Sequence, residues 1–176
     1  YSYKNPTLDT AAEDVEEELA NNLQIKDIIL DGGTCSVGLE STIIDCRLNR
    51  PKILRPGAIS PKMIEESCGV KLVKEQRKNQ LRVSGSFMSH YAPDAELHLN
   101  GHPSEGDGFI ALNHIQTPKG AIRLASPKNN YQYAQLLYKA LRLADHKRIK
   151  KVYVVPPGGD DIALAINDRL IKAISK

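Results

Sequence analysis

The sequence predicts an α/β protein, and three observations carry that expectation. Short apolar runs bounded by turn residues recur along the chain, as strands require. One long stretch, Asn130 to His146, repeats its apolar residues at the helical period. From Ala95 onward the two kinds of segment alternate, strand, helix, strand, helix, which is the order of a small α/β layer structure.

The elements follow in order. Tyr1-Ser-Tyr-Lys-Asn-Pro-Thr7 reads as a loop feeding a helix. Thr10 and Glu13 have capping-box spacing, the hydroxyl serving an early amide and the carboxylate returning to the cap. Ala11 to Leu19 is then an acidic helix. Asp27 to Leu30 is predicted as a strand stopped by Asp31-Gly-Gly33, and Ser41 to Asp45 and Lys52 to Arg55 as two more. Ser60 is a good N-cap, Pro61 suits the first helical position, and Gly69 suits the residue just past the end. Val70 to Val73 is expected to return as a strand. Residues 74–94 show no period, are polar and basic, and contain Ser84-Gly-Ser86; they read as a linker or a functional loop, too long for an ordinary connection.

Beyond them, Glu96 to Leu99, Gly108 to Leu112 and Ala121 to Leu124 are strand candidates. Asn130 to His146 is an amphipathic helix with Ala134, Leu137, Tyr138, Leu141 and Ala144 on one stripe. Lys151 to Val155 is a buried strand, Pro156-Pro-Gly-Gly159 a turn, and Asp161 to Ile174 the last helix.

Composition narrows the class of protein. The chain has 176 residues, 41% hydrophobic and 26% charged, which is ordinary for a globular protein. No apolar run approaches the roughly 18 residues of a membrane span, and the first residues lack the layout of a signal peptide, so a cytoplasmic location is expected. A net charge of +3 implies little about partners. The basic clusters Arg77-Lys78 and Lys147-Arg-Ile-Lys-Lys151 read first as solvated faces, with no aromatic residues alternating to stack bases. Cys35, Cys46 and Cys68 are odd in number and widely spaced, so they read as reduced, mostly buried thiols rather than a zinc site.

Four stretches are candidates for chemistry. Asp31 to Thr42 holds three glycines and several hydroxyl residues, a loop whose amides can approach an anion or whose glycines serve turns only. Neither standard nucleotide-binding fingerprint is present. Arg55 ends an apolar strand before Pro56-Gly57, which places a fork suited to phosphate at a strand end, or else a plain surface arginine. Ser89-His-Tyr-Ala-Pro93 puts His90 and Tyr91 in the long linker. Pro156 to Asp161 has a phosphate-loop position, but two aspartates at a helix start read better as caps. His98, His102 and His114 have no metal-ligand spacing.

In combination, Leu30-Asp-Gly-Gly-Thr-Cys-Ser-Val-Gly-Leu-Glu-Ser-Thr-Ile-Ile-Asp45, Ile53-Leu-Arg-Pro-Gly-Ala-Ile59 and Val83-Ser-Gly-Ser-Phe-Met-Ser-His-Tyr-Ala-Pro93 resemble the long-form threonylcarbamoyl-AMP synthases. Tyr133 to Asp145 and Ala165 to Leu170 resemble that family's last helices. The resemblance implies the second half of a YrdC-like α/β domain over 1–73, a linker or lid over 74–94, and a small Rossmann-like α/β C-terminal domain over 95–176. Tyr1-Ser2 and Asn5-Pro6-Thr7 fit the end of a family motif whose Ser-Ala-Asn start is absent, so the first half of the catalytic domain is expected to be missing and the fragment alone inactive.

The family's reaction joins ATP, L-threonine and bicarbonate into threonylcarbamoyl-AMP and pyrophosphate, with magnesium accompanying the ATP. A downstream threonylcarbamoyl transferase complex then modifies tRNA. By resemblance, Ser41 is the threonine-binding serine and Arg55 an ATP-phosphate arginine. Asn5, His90 and Tyr91 fall on the ATP side, and 84–93 would cover the site. Asn5 stands where the family usually has serine, and Val83-Ser-Gly85 replaces its commoner Ser-Pro-Gly. Two rivals use the same fold: carbamoyl-adenylate-forming maturation enzymes, and a YrdC-like RNA-binding module without catalysis that would contact tRNA directly.

Overall fold

The computed structural model describes residues 11–19, 21–47, 49–73 and 93–174. In order they form α1 (Ala12–Leu19), β1 (Ile43–Asp45), β2 (Lys52–Arg55), α2 (Pro61–Cys68), β3 (Glu96–Leu99), β4 (Gly108–Ile110), β5 (Ile122–Ala125), α3 (Asn130–His146), β6 (Lys151–Val154) and α4 (Ile162–Ile174). The architecture is mixed α/β. β1 and β2 make an antiparallel pair, and β3-β6-β4-β5 a four-stranded sheet paired in parallel throughout.

Local chemistry fixes the ends of α2. The Ser60 hydroxyl accepts from the Met63 amide, Pro61 opens the helix, and Gly69 closes it in the left-handed region at φ 65° while its amide donates to the Glu65 carbonyl. α1 starts differently from the capping-box expectation. Asp14, not Glu13, accepts from the Ala11 amide at 3.0 Å, and Thr10 lies outside the described residues. The Asn129 side chain caps α3 by accepting from the Gln132 amide at 2.9 Å.

The main core lies between the four-stranded sheet and α3 with α4. Ala134, Leu137, Tyr138, Leu141 and Ala144 are all buried, so the stripe read from the sequence is the face α3 presents to the sheet. Leu97, Ile110, Val152 and Val154 meet it from the strands, and Ile162, Ile166 and Leu170 from α4.

Register puts a different row on the sheet's other face: His98, Tyr153, Phe109 and Arg123 lie side by side across β3, β6, β4 and β5. The His98 ring stacks on Tyr153 with centroids 4.9 Å apart, and the Arg123 guanidinium sits 5.2 Å over Phe109. Arg123 donates to the carbonyls of Ala111, Leu112, Ile115 and Ala125 at 2.6 to 2.8 Å, pinning the helix-free connection between β4 and β5. Burial among carbonyls lowers its pKa from the usual arginine value.

Three expectations fail. Asp27 to Leu30 is not a strand, because no strand among the described residues pairs with it; Ile28 and Leu30 are exposed. Val70 to Val73 is not one either. The Leu72 amide is taken by the Glu65 carboxylate at 2.9 Å and the Val73 amide by the Pro51 carbonyl, so no ladder forms. Cys35, Cys46 and Cys68 are free thiols, as expected, but exposed rather than buried.

Two outcomes test this packing. Leu137→Ala should cost about 3 kcal/mol, since it opens a cavity in the middle of the α3 stripe. Arg123→Met should cost about 2 kcal/mol by leaving carbonyls of the β4–β5 connection unsatisfied, with Arg123→Lys in between. Urea unfolding of each variant measures both.

Candidate functional site

The two residues singled out by motif, Ser41 and Arg55, are in contact. Arg55 is the last residue of β2 and stands opposite Ile43 in the β1–β2 register, with a bulge between Ile43 and Ile44. From there its side chain reaches the residue two positions before Ile43. Arg55 Nε donates to the Ser41 carbonyl at 3.0 Å, and a terminal guanidinium nitrogen donates to Ser41 Oγ at 3.2 Å. Arg55 is 7% exposed, so it is not the surface arginine of the plainer reading, whereas Ser41 is exposed. A buried cation thus sits behind an accessible hydroxyl. Because Oγ accepts from the guanidinium, its own proton is left to donate to a ligand, which suits a carboxylate or another anionic oxygen.

The turn after Arg55 presses on the same segment. A Cβ on Gly57 would stand 2.4 Å from the Thr42 nitrogen, 2.5 Å from the Glu40 oxygen and 2.6 Å from the Ser41 carbonyl carbon, so only glycine permits this approach. The Thr42 hydroxyl donates to the Ile59 carbonyl at 2.8 Å. Residues 40–42 are therefore clasped by 55–59 at three points.

The other side of the segment rests on the helices beyond residue 130. Gly38, at φ 69°, lies against the α3 backbone, where a Cβ would meet Gln135 Cα at 2.7 Å and the Ala134 oxygen at 2.9 Å. Val37 and Leu39 pack on the main core, and the Gln135 side chain donates to the Ser36 carbonyl. Arg169 of α4 donates through Nε to Glu40 Oε2 at 2.8 Å and through a terminal nitrogen to the Pro56 carbonyl at 3.1 Å. It is also paired with Asp168, which in turn holds Lys172 at 2.7 Å. Burial opposes charge on Arg169, but the Glu40 carboxylate, with smaller help from Tyr138 and Asp168, more than offsets it and the pKa is raised.

The sequence reading missed Arg169 and Glu40, though it held a signal. Ile162, Ala165, Ile166, Arg169, Leu170 and Ala173 form one buried stripe of α4, and an arginine on an apolar face requires an acceptor. Of the 31–42 loop, Gly38 serves packing against α3. Gly33 takes φ 81° in a turn where the Asp31 carboxylate accepts its amide at 2.8 Å.

Asp161 behaves as a cap, accepting weakly from the Ala163 amide at 3.4 Å. Asn5, His90 and Tyr91 lie outside the described residues. Among the described residues no group of three His, Cys, Asp or Glu side chains is placed to hold a metal, and no helix is long and apolar enough to cross a membrane.

Comparison with known proteins bears on this arrangement. The family described as "Threonylcarbamoyl-AMP synthase, C-terminal domain" matches residues 59–175, and one described as "Telomere recombination" matches residues 3–57. A threonylcarbamoyl-AMP synthase of Bacillus subtilis is 30% identical over 82% of this chain and 48% of its own length. Those of Schizosaccharomyces pombe and Pyrococcus abyssi are 27% and 33% identical over 88% and 93% of this chain, and 47% and 53% of theirs. The chain thus spans about half the length of the curated relatives it matches.

The crystal structure of P. abyssi Sua5 complexed with L-threonine superposes with a TM-score of 0.77 at 23% identity, over 97% of this chain and 55% of that one. A variant of that protein with a histidine and the adjacent tyrosine changed to alanine gives 0.77 at 22% identity, over 97% and 54%. The α/β fold is therefore that of the Sua5 structures, and with two thirds of its residues matched by the first family, this chain belongs to the threonylcarbamoyl-AMP synthases.

Proposed function

We propose that the full-length protein is an L-threonylcarbamoyladenylate synthase, a nucleotidyltransferase that forms threonylcarbamoyl-AMP and pyrophosphate from ATP, L-threonine and bicarbonate for tRNA modification. Family membership supports the class of reaction. The observation that carries the site is the Ser41–Arg55 pair, an exposed hydroxyl backed by a buried guanidinium. The Sua5 relative that holds L-threonine shares the fold around it.

In this reading the amino nitrogen of L-threonine first forms a bond to the bicarbonate carbon with loss of water, giving the N-carboxylate. A carboxylate oxygen of that carbamate attacks the α-phosphorus of ATP; the new P–O bond replaces the bond to pyrophosphate, which leaves with its electron pair. The step demands alignment and charge neutralisation rather than a protein nucleophile. Ser41 donates its hydroxyl proton to the threonine, and Arg55 holds that hydroxyl in one orientation while its charge raises the local positive potential for phosphate. Magnesium enters as part of the ATP substrate. On the family resemblance Asn5, His90 and Tyr91 complete the ATP side; His90-Tyr91 is the one adjacent His-Tyr pair in this sequence. Delivery of the product to a transferase complex and its tRNA belongs to the same proposal.

The test is pyrophosphate release by the full-length protein, dependent on both threonine and bicarbonate. Ser41→Ala should raise the KM for L-threonine about tenfold with a smaller effect on kcat, and Arg55→Ala should lower kcat/KM about 100-fold. Arg55→Lys should not restore it, because an ammonium cannot bridge the Ser41 carbonyl and hydroxyl in one plane. Near-normal kinetics in folded Ser41→Ala and Arg55→Ala variants would remove the pair from the site.

A further inference from the structure

We infer that Arg169, on α4, is a positioning residue for the Ser41–Arg55 pair, so that the C-terminal unit is built into the substrate site; this rests on the reading of that pair given above. The argument begins with chain connectivity. Glu40 immediately precedes Ser41, and Pro56 immediately follows Arg55. Arg169 binds both, Glu40 through its carboxylate at 2.8 Å and Pro56 through its carbonyl at 3.1 Å. One planar guanidinium therefore fixes the two residues that flank the pair, and it does so from a helix more than 110 positions away in sequence.

Its surroundings make the fixation stiff. Arg169 is 1% exposed and lies on the buried stripe of α4 between Ile166 and Leu170. Asp168 contacts the same guanidinium and is itself held by Lys172. Gly57 packs flat on the backbone of residues 40–42, so a displacement of Pro56 is transmitted to Ser41 without slack. Gly38, Val37 and Leu39 anchor the segment just ahead of Glu40 on α3 and the main core.

A guanidinium is the group that this geometry requires. Its fork donates in two fixed directions at once, to a carboxylate and to a carbonyl, whereas a lysine ammonium offers the charge without the plane. A shift of an ångström at a hydroxyl that orients substrate is felt in the reaction although Arg169 touches no reacting atom.

Two measurements test the inference. In the full-length protein labelled with ¹⁵N-arginine, the Arg55 Nε–H should be protected from exchange by its bond to the Ser41 carbonyl. In Arg169→Lys and Glu40→Gln its exchange with water should quicken about tenfold, while circular dichroism and the backbone amide signal of Arg142 in α3 remain native. Glu40→Gln keeps the shape of the contact and guards against a lysine variant that fails to fold. In the full-length protein the same two substitutions should weaken L-threonine binding about tenfold by calorimetry, in line with Ser41→Ala, and raise the KM for threonine more than they lower kcat.

Unchanged Arg55 exchange in both folded variants would overturn the positioning role. So would normal threonine affinity in both when Ser41→Ala has lost it. Normal threonine affinity in Ser41→Ala would instead sink the reading of the pair itself, and the role assigned to Arg169 with it.

Discussion

The arrangement of this molecule depends on one buried guanidinium. Arg169 is enclosed by the two halves of the described structure and has acceptors in both, Glu40 and Pro56 on one side and Asp168 on its own helix. Such a contact is a poor source of stability. Removing a carboxylate and a guanidinium from water costs several kcal/mol per ion, and their attraction roughly offsets that cost. Its effect is on geometry. A buried charge that loses its partner is penalised by about 3–5 kcal/mol, so alternative placements of the 36–42 segment are excluded far more strongly than the native one is favoured.

Non-directional packing completes what the ion pair aims. Val37 and Leu39 bury apolar surface on the core of α3 and α4, which holds the segment down without choosing its rotation. Closeness of approach is set by two glycines. Gly38 lets the chain touch the α3 backbone, and Gly57 lets the turn after β2 touch the peptide planes around Ser41. Adhesion, direction and closeness of approach thus come from different residue types, and the site needs all three.

How much of this was legible in the sequence follows from how local each determinant is. The ends of α2 were readable because Ser60, Pro61 and Gly69 act within a turn of themselves. α3 was readable because its stripe needs only the helical period. Asp27 to Leu30 and Val70 to Val73 were misread for the converse reason: an apolar tetrapeptide becomes a strand only through a neighbour, and local composition does not name one. The exposed thiols were misread from a residue-type average.

Ser41 and Arg55 were picked out by motif and strand-end position. That they touch depends on the β1–β2 register and its bulge, which neither signal contains. Arg169 was hidden furthest, its partner lying 129 residues away, although its place on the apolar stripe of α4 marked it as needing one.

The strand order of the larger sheet sets a timetable for synthesis. β6 lies between β3 and β4, yet it is the last of the described strands to be made. β4 and β5 can pair as soon as residue 125 has emerged, whereas β3 has no neighbour until residues 151–154 arrive, and α4, with Arg169, comes later still. Such long-range parallel pairing is slow to form. On the ribosome the sheet therefore stays incomplete until residues 151–154 have emerged, and α4 can close over the core only after that.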